Sequence, residues 1–226
     1  MAVESYFVWL GSGRARKRGV GEGGVLLDQA ARVRLPVPSG GILLDAFYEG
    51  AVADGLLVRG ENGRFSCPDP PLLHHVLYHD VRFPQLEKPV VVQPLFATTS
   101  VSHIQFTEPG QLACSLCEVY SAKAEDVRRD VVVMEMVEAV VGGTAVTAAS
   151  QATDTFTTNE QSLTLPQLGI FQSASAAVPP FAQRLQKLLR GVRRTFGKGQ
   201  WAINWADDGE VCWLTQITRL RTRELT

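Results

Sequence analysis

Cys114 and Cys117 form a C-x-x-C pair, the spacing of redox thiols and of half a zinc site. Cys67 and Cys212 complete the cysteines. Four are too few for a disulfide framework, so plain reduced thiols in a reducing compartment are expected. Residues 112–120 read as a strand, on which positions three apart face opposite sides, so joint work by the pair would need a local turn. His75 and His79 are four apart in a helical stretch, with His74 and Asp80 adjacent, which is compatible with a metal pair. No third ligand is obliged to meet them, and a polar helix face or loop is the plainer reading. Gly19, Gly21 and Gly24 satisfy G-x-G-x-x-G, and Asp45 follows at the spacing of a dinucleotide-binding turn. The context disfavours it, because the strand at residues 6–10 ends early and Arg14, Arg16, Lys17 and Arg18 intervene. The hydroxyls of residues 98–102 and 153–158 have no assignable acid or base partner and read as loop and strand residues.

The elements that must position these groups alternate in type. A first strand, a Gly/Arg-rich connection and a helix over 25–33 precede Pro36 and Pro38. Residues 40–47 restart as a strand or short helix, and 58–71, rich in Gly, Pro, Asn and Asp, mark a loop or lobe junction. Residues 89–96, 101–106, 112–120, 131–136 and 145–149 then carry β-branched and apolar side chains between turn signals, predicting a curved, mostly antiparallel sheet. Pro179 and Pro180 open a helix whose Phe181, Leu185, Leu188, Leu189, Val192 and Phe196 recur at helical spacing. Its basic residues lie mostly off that stripe and, with Arg219, Arg221 and Arg223, read as a solvated face or a docking surface for an acidic protein in preference to a nucleic-acid footprint. Residues 201–206 and 211–217 alternate around Asp207-Asp208-Gly209 as a hairpin. A three-residue loop there would put Asn204 opposite Cys212 and on one face with Gln216. The fold class expected is α/β (α+β), with lobes at 1–85 and 86–226.

Composition narrows the partners. The 22 basic and 23 acidic side chains nearly balance, which disfavours nucleic acid or an anionic membrane as partner of the chain as a whole, although a local cluster could still act. No apolar run approaches the roughly 20 residues a membrane span needs, and the N-terminus lacks the pattern of a secretory signal. A cytoplasmic location is the expectation.

Residues 20–40, VGEGGVLLDQAARVRLPVPSG, open a helix on glycines and close on Pro-Val-Pro-x-Gly. Residues 90–109, VVVQPLFATTSVSHIQFTEP, give a strand ending in Gln93 and a hairpin ending in Phe-Thr-x-x-Pro. EAVVGG at 138–143 and FGKGQWAINWADDGEVCWLTQ at 196–216 follow. In this order the four stretches resemble the nucleotide-binding (ATP-grasp) domain of the phosphoenolpyruvate synthase and pyruvate phosphate dikinase family. The resemblance implies a truncated ATP-grasp-like fold with adenine near the strand carrying Gln93 and Leu95. It further implies ATP and Mg²⁺ as cofactors, Arg59 as a remnant phosphate ligand, and Glu138, Asn204 and Gln216 as metal ligands.

The sequence departs from that family where charge is needed. Gly23 stands in place of the phosphate-loop Lys, Asn204 in place of an acidic metal ligand, and Thr218 in place of an Arg, with Arg219 one position out of register. Gln216 is kept. The sequence stops at Thr226 soon after the hairpin, so the family's phosphohistidine carrier and pyruvate-binding barrel are expected to be missing. Together these features predict a degenerate domain acting as a structural, regulatory or accessory subunit of another protein, with residual nucleotide binding. The alternative is an ATP-dependent phosphotransferase working with separate carrier chains.

Overall fold

The computed structural model of the chain describes residues 6–86, 88–96, 100–122, 128–158, 161–169, 171–175 and 177–220. In chain order the elements are β1 (Phe7–Trp9), α1 (Glu22–Arg32), β2 (Gly40–Leu43), α2 (Asp45–Ala53), β3 (Val58–Arg59), β4 (Phe65–Ser66), α3 (Pro70–His75), β5 (Val90–Pro94), β6 (Val101–Ile104) and α4 (Pro109–Tyr120). They continue with β7 (Val131–Glu135), β8 (Val141–Ala148), β9 (Thr153–Thr158), β10 (Gln161–Pro166), α5 (Pro180–Phe196), β11 (Gln200–Asp207) and β12 (Cys212–Leu220). They gather into two compact units, residues 1–25 with 39–136 and residues 26–38 with 137–226. Residues on both sides of position 85 belong to the first. No helix of the described residues is long and apolar enough to cross a membrane.

The first unit is a five-stranded sheet in the order β1-β2-β7-β5-β6, every neighbouring pair antiparallel, with a separate β3-β4 ribbon. Residues 131–134 of β7 are buried without alternation, as a strand covered on both faces should be. Around it pack Leu43, Phe47, Leu73, Leu77, Val92, Phe106, Leu112 and Leu116. Residues 112–120 are helical, contrary to the strand expected there. Pro109 occupies the first turn of α4, where its missing N–H costs nothing. Leu112, Leu116, Val119 and Tyr120 then recur at i, i+4, i+7 and i+8, and all are buried.

The second unit is a sheet in the order β10-β9-β8-β11-β12, again antiparallel throughout. The strands after residue 86 thus divide between two sheets. One face carries Phe156, Ala145, Trp201, Ile203, Trp205, Leu214 and Ile217, all buried. Against it lies α5, which buries Leu185, Leu188, Leu189 and Val192, each contributing about 1.5–3 kcal/mol. Phe181 stacks on Trp205 at 6.1 Å between centroids. Two ion pairs fix the helix. Arg184 donates through Nε and Nη2 to both carboxylate oxygens of Asp207, each at 2.7 Å. Arg193 Nη1 donates to Asp154 Oδ2 and to Thr147 Oγ1, also at 2.7 Å. Arg190 donates to the carbonyls of Gly169 and Gln172. These three cations of α5 bind the protein itself, whereas Lys187 and Arg194 are exposed as expected. Arg221 and Arg223 lie outside the described residues.

Candidate functional site

The face of the second unit's sheet turned away from α5 holds two of the three residues expected to bind metal, Asn204 and Gln216. In β11 the residues pointing there are Ala202, Asn204 and Ala206, alternating with buried Ile203 and Trp205. The hairpin turns through residues 208–211, because Asp207 pairs with Cys212. A register shift between Asn204 and Trp205 then leaves Thr215 unmatched in β12, the signature of a β-bulge. Asn204 therefore stands directly opposite Gln216, and the expected pairing with Cys212 is not formed. The bulge is what brings the two amides together: Asn204 Nδ2 donates to Gln216 Oε1 at 2.6 Å.

The same register extends this pair into a row across all five strands, Ser162, Thr157, Thr144, Asn204 and Gln216. Thr144 and Thr157 share a hydroxyl hydrogen bond of 2.6 Å. The next row is Thr164, Thr155, Val146, Ala202 and Thr218. None of these residues is charged. Mg²⁺ is a hard cation usually held through carboxylates and phosphates, and here the two best-placed oxygens belong to neutral amides already bonded to each other. The row does not fit a Mg²⁺ site.

Glu138 does not repair it. Its side chain is exposed on the segment before β8, where Val140 N–H bonds Asp207 O at 2.8 Å. Val141 pairs with Asp207, three positions or about 10 Å along the strand from the Thr144–Asn204 pair, and Glu138 lies beyond it. Among the described residues, no three His, Cys, Asp or Glu side chains come together to hold a metal ion.

The remaining assigned residues fall in the first unit. Gln93 lies half-buried on β5 opposite Val132 of β7. Leu95 N–H is bonded to Asp130 O at 2.9 Å, so that donor is taken by the sheet. The Leu95 side chain covers the opening of α1, where a β-carbon on Gly24 would come within 2.6 Å of Leu95 Cδ1. Arg59 is exposed on the separate β3-β4 ribbon.

One residue that carries the local electrostatics escaped the sequence reading. Asp130, whose side chain is 1% exposed, accepts from Gly21 N–H at 3.3 Å and from Asp45 N–H at 2.9 Å in the first turn of α2. Arg128 donates to the same carboxylate through Nε at 3.2 Å and Nη2 at 3.1 Å. These hydrogen bonds push the Arg128 pKa up. Asp45 in turn accepts from Arg129 N–H at 2.8 Å. An amide from the glycine turn and a helix N-terminus make an anion seat, and the protein's own carboxylate fills it. Gly21 and Asp45, two of the residues that mimic a dinucleotide turn, are therefore used in this network.

Two other motifs resolve simply. His75 and His79 are exposed, with rings stacked 4.5 Å apart where α3 runs into a π-helical turn at Val76–Asp80. Cys114, exposed, and Cys117, half-buried, lie one turn apart on α4, so the helix puts them on one side without the extra turn that a strand would need.

The sequence matches no protein-family model, and no curated protein matches it. Among solved structures the chain is similar to D-alanine–D-alanine ligase from Bacillus anthracis, at 9% identity and a TM-score of 0.49, over 93% of this chain and 58% of that one. It is similar to N5-carboxyaminoimidazole synthase from Aspergillus clavatus, at 14% identity and a TM-score of 0.46, over 85% of this chain and 42% of that one. A RimK domain ATP-grasp protein from Sphaerobacter thermophilus gives 16% identity and a TM-score of 0.45, over 88% of this chain and 59% of that one. The chain thus spans roughly half the length of each.

Proposed function

We propose that this chain is an ATP-grasp-like domain without phosphoryl-transfer chemistry, acting as a structural, regulatory or accessory subunit of another protein. The observation that carries this reading is the Asn204–Gln216 amide pair, set in rows of uncharged side chains where catalysis would need carboxylates. Phosphoryl transfer depends on metal-bound phosphates and cations at the transferring group, and each lost charge-assisted contact removes transition-state stabilisation. Asp130 supports the same reading from the other unit, because a phosphate would compete with a resident carboxylate for Gly21 N–H. Nucleotide affinity that remains rests on the base and sugar and is independent of Mg²⁺.

The test is a gain of charge. Asn204→Asp with Gln216→Glu places two carboxylates side by side, and like charges in contact are relieved by a divalent cation. The double variant is expected to melt lower than the parent without metal and to recover with millimolar Mg²⁺ or Mn²⁺, while the parent's melting temperature ignores both. A parent chain stabilised by Mg²⁺ as strongly as the double variant would refute the reading.

A further inference from the structure

Asp69 caps α3 by accepting from Leu72 N–H at 3.0 Å, and at Val76–Asp80 the helix widens into a π turn in which Val81 N–H bonds Val76 O at 2.9 Å. A turn closed by an i→i+5 bond holds more than four residues, so side chains four apart stand almost directly above one another. His75, the last residue of α3, and His79, inside the widened turn, are such a pair. Their rings lie 4.5 Å apart with an interplanar angle of 23°. The core fixes the other side of the segment. Leu73 and Leu77 are fully buried, and buried Tyr78 donates its hydroxyl to Phe106 O at 3.1 Å. The neighbouring His74 ring packs on Tyr78, 4.7 Å away. His75 and His79 are both exposed, and among the described residues neither ring makes a hydrogen bond.

We propose that His75 and His79 form an exchangeable site for a borderline divalent cation of the Zn²⁺ class. Imidazole nitrogen suits Zn²⁺, Cu²⁺ and Ni²⁺, whereas Mg²⁺ and Ca²⁺ favour oxygen. With Zn–N bonds of about 2.0–2.1 Å at a tetrahedral angle, two bound nitrogens stand about 3.4 Å apart. Nearly parallel rings keep like atoms about as far apart as their centroids, so the two ring edges must close by about 1 Å. Exposed imidazoles with no hydrogen bond to break can make that tilt, and each can turn to present either nitrogen. A merely solvated face leaves polar rings to diverge into water, and these two face each other instead. Among the described residues no third His, Cys, Asp or Glu joins them, exposed Asp80 included, so the remaining positions are left to water and the cation can exchange. The site lies in the first unit and does not depend on the amide row of the second.

The probe is Zn²⁺ itself, titrated calorimetrically into the whole chain, with His75→Ala and His79→Ala as test variants and His74→Ala and His103→Ala as controls. Two imidazoles on one fixed segment bind as a chelate, so removing either should weaken Zn²⁺ binding roughly 100-fold, while both controls stay within about twofold of the parent. Circular dichroism verifies that each variant is folded, and both test positions are exposed, so their truncation leaves the core intact. Mg²⁺ should give no heat and should not compete. In nuclear magnetic resonance spectra the ring signals of His75 and His79 should move together as Zn²⁺ is added, with those of His74 and His103 unmoved. The proposal is overturned if either test variant binds Zn²⁺ as tightly as the parent, which would assign the cation to the cysteines or to a chain terminus. It is equally overturned if the His75 and His79 ring signals stay still on saturation, or if Mg²⁺ displaces Zn²⁺ at equal concentration.

Discussion

Removing the Asp130 carboxylate should damage the first unit far more than its place in a run of charged residues suggests. Asp130→Ala strips the acceptor from Gly21 N–H and Asp45 N–H. An amide bonded to a charged acceptor contributes about 1.5–3 kcal/mol, so the two together are worth about 3–6 kcal/mol. Arg128, with a side chain 43% exposed, adds little, about 0–1 kcal/mol. In a chain of this size each kcal/mol moves the melting temperature by about 2–4 °C, so a drop of roughly 6–24 °C is expected for the transition that involves this unit. Asp130→Asn retains one acceptor oxygen but turns an amide NH₂ toward donors, and should recover only part of the loss. Thermal unfolding by circular dichroism gives the total, and hydrogen exchange at residues 21 and 45 locates it. If Asp130→Ala melts within about 1 kcal/mol of the parent with both amides still protected, the anion-seat argument fails.

Arg193→Ala leaves Asp154, 1% exposed, with Thr147 and Gln167 but without its cation, and should cost about 3–5 kcal/mol. Trp201 and Trp205 lie in the same unit, so denaturant unfolding followed by their emission reads that loss; a change below about 1 kcal/mol would mean the pair is dispensable. Burial pushes the Cys212 thiol up to about 12 and, with its neighbours Cys67 and Cys114, pushes Cys117 up to about 11. Since only the thiolate reacts, iodoacetamide at pH 8 should label exposed Cys114 first, Cys117 slowly and Cys212 only after unfolding, as read by mass spectrometry. Labelling of Cys212 as fast as Cys114 would contradict the burial of the second unit's core.

What was legible in the sequence follows from local patterns. The apolar spacing of α5, opened by Pro180, and the alternation of the final hairpin depend only on neighbours in the chain, and both are present. Residues 112–120 suggest a strand because they carry apolar side chains between turn signals; buried Leu112, Leu116, Val119 and Tyr120 and exposed Cys114 show the helical face instead. The pairing of Asn204 with Gln216 was hidden for another reason. A bulge adds one residue without changing composition, and only the opposing strands reveal it. Asp130 was invisible because its partners lie 109 and 85 positions away. The expectation of three metal ligands rested on resemblance alone, and register separates Glu138 from the other two.

The most direct test of the account is calorimetric titration of the purified chain with ATP, with and without Mg²⁺. Mg²⁺ is expected to leave the ATP affinity unchanged, whatever that affinity is, and Glu138→Ala to behave as the parent does. ATP binding that tightens about tenfold or more with Mg²⁺ and loses that gain in Glu138→Ala would contradict it and restore a phosphotransferase site.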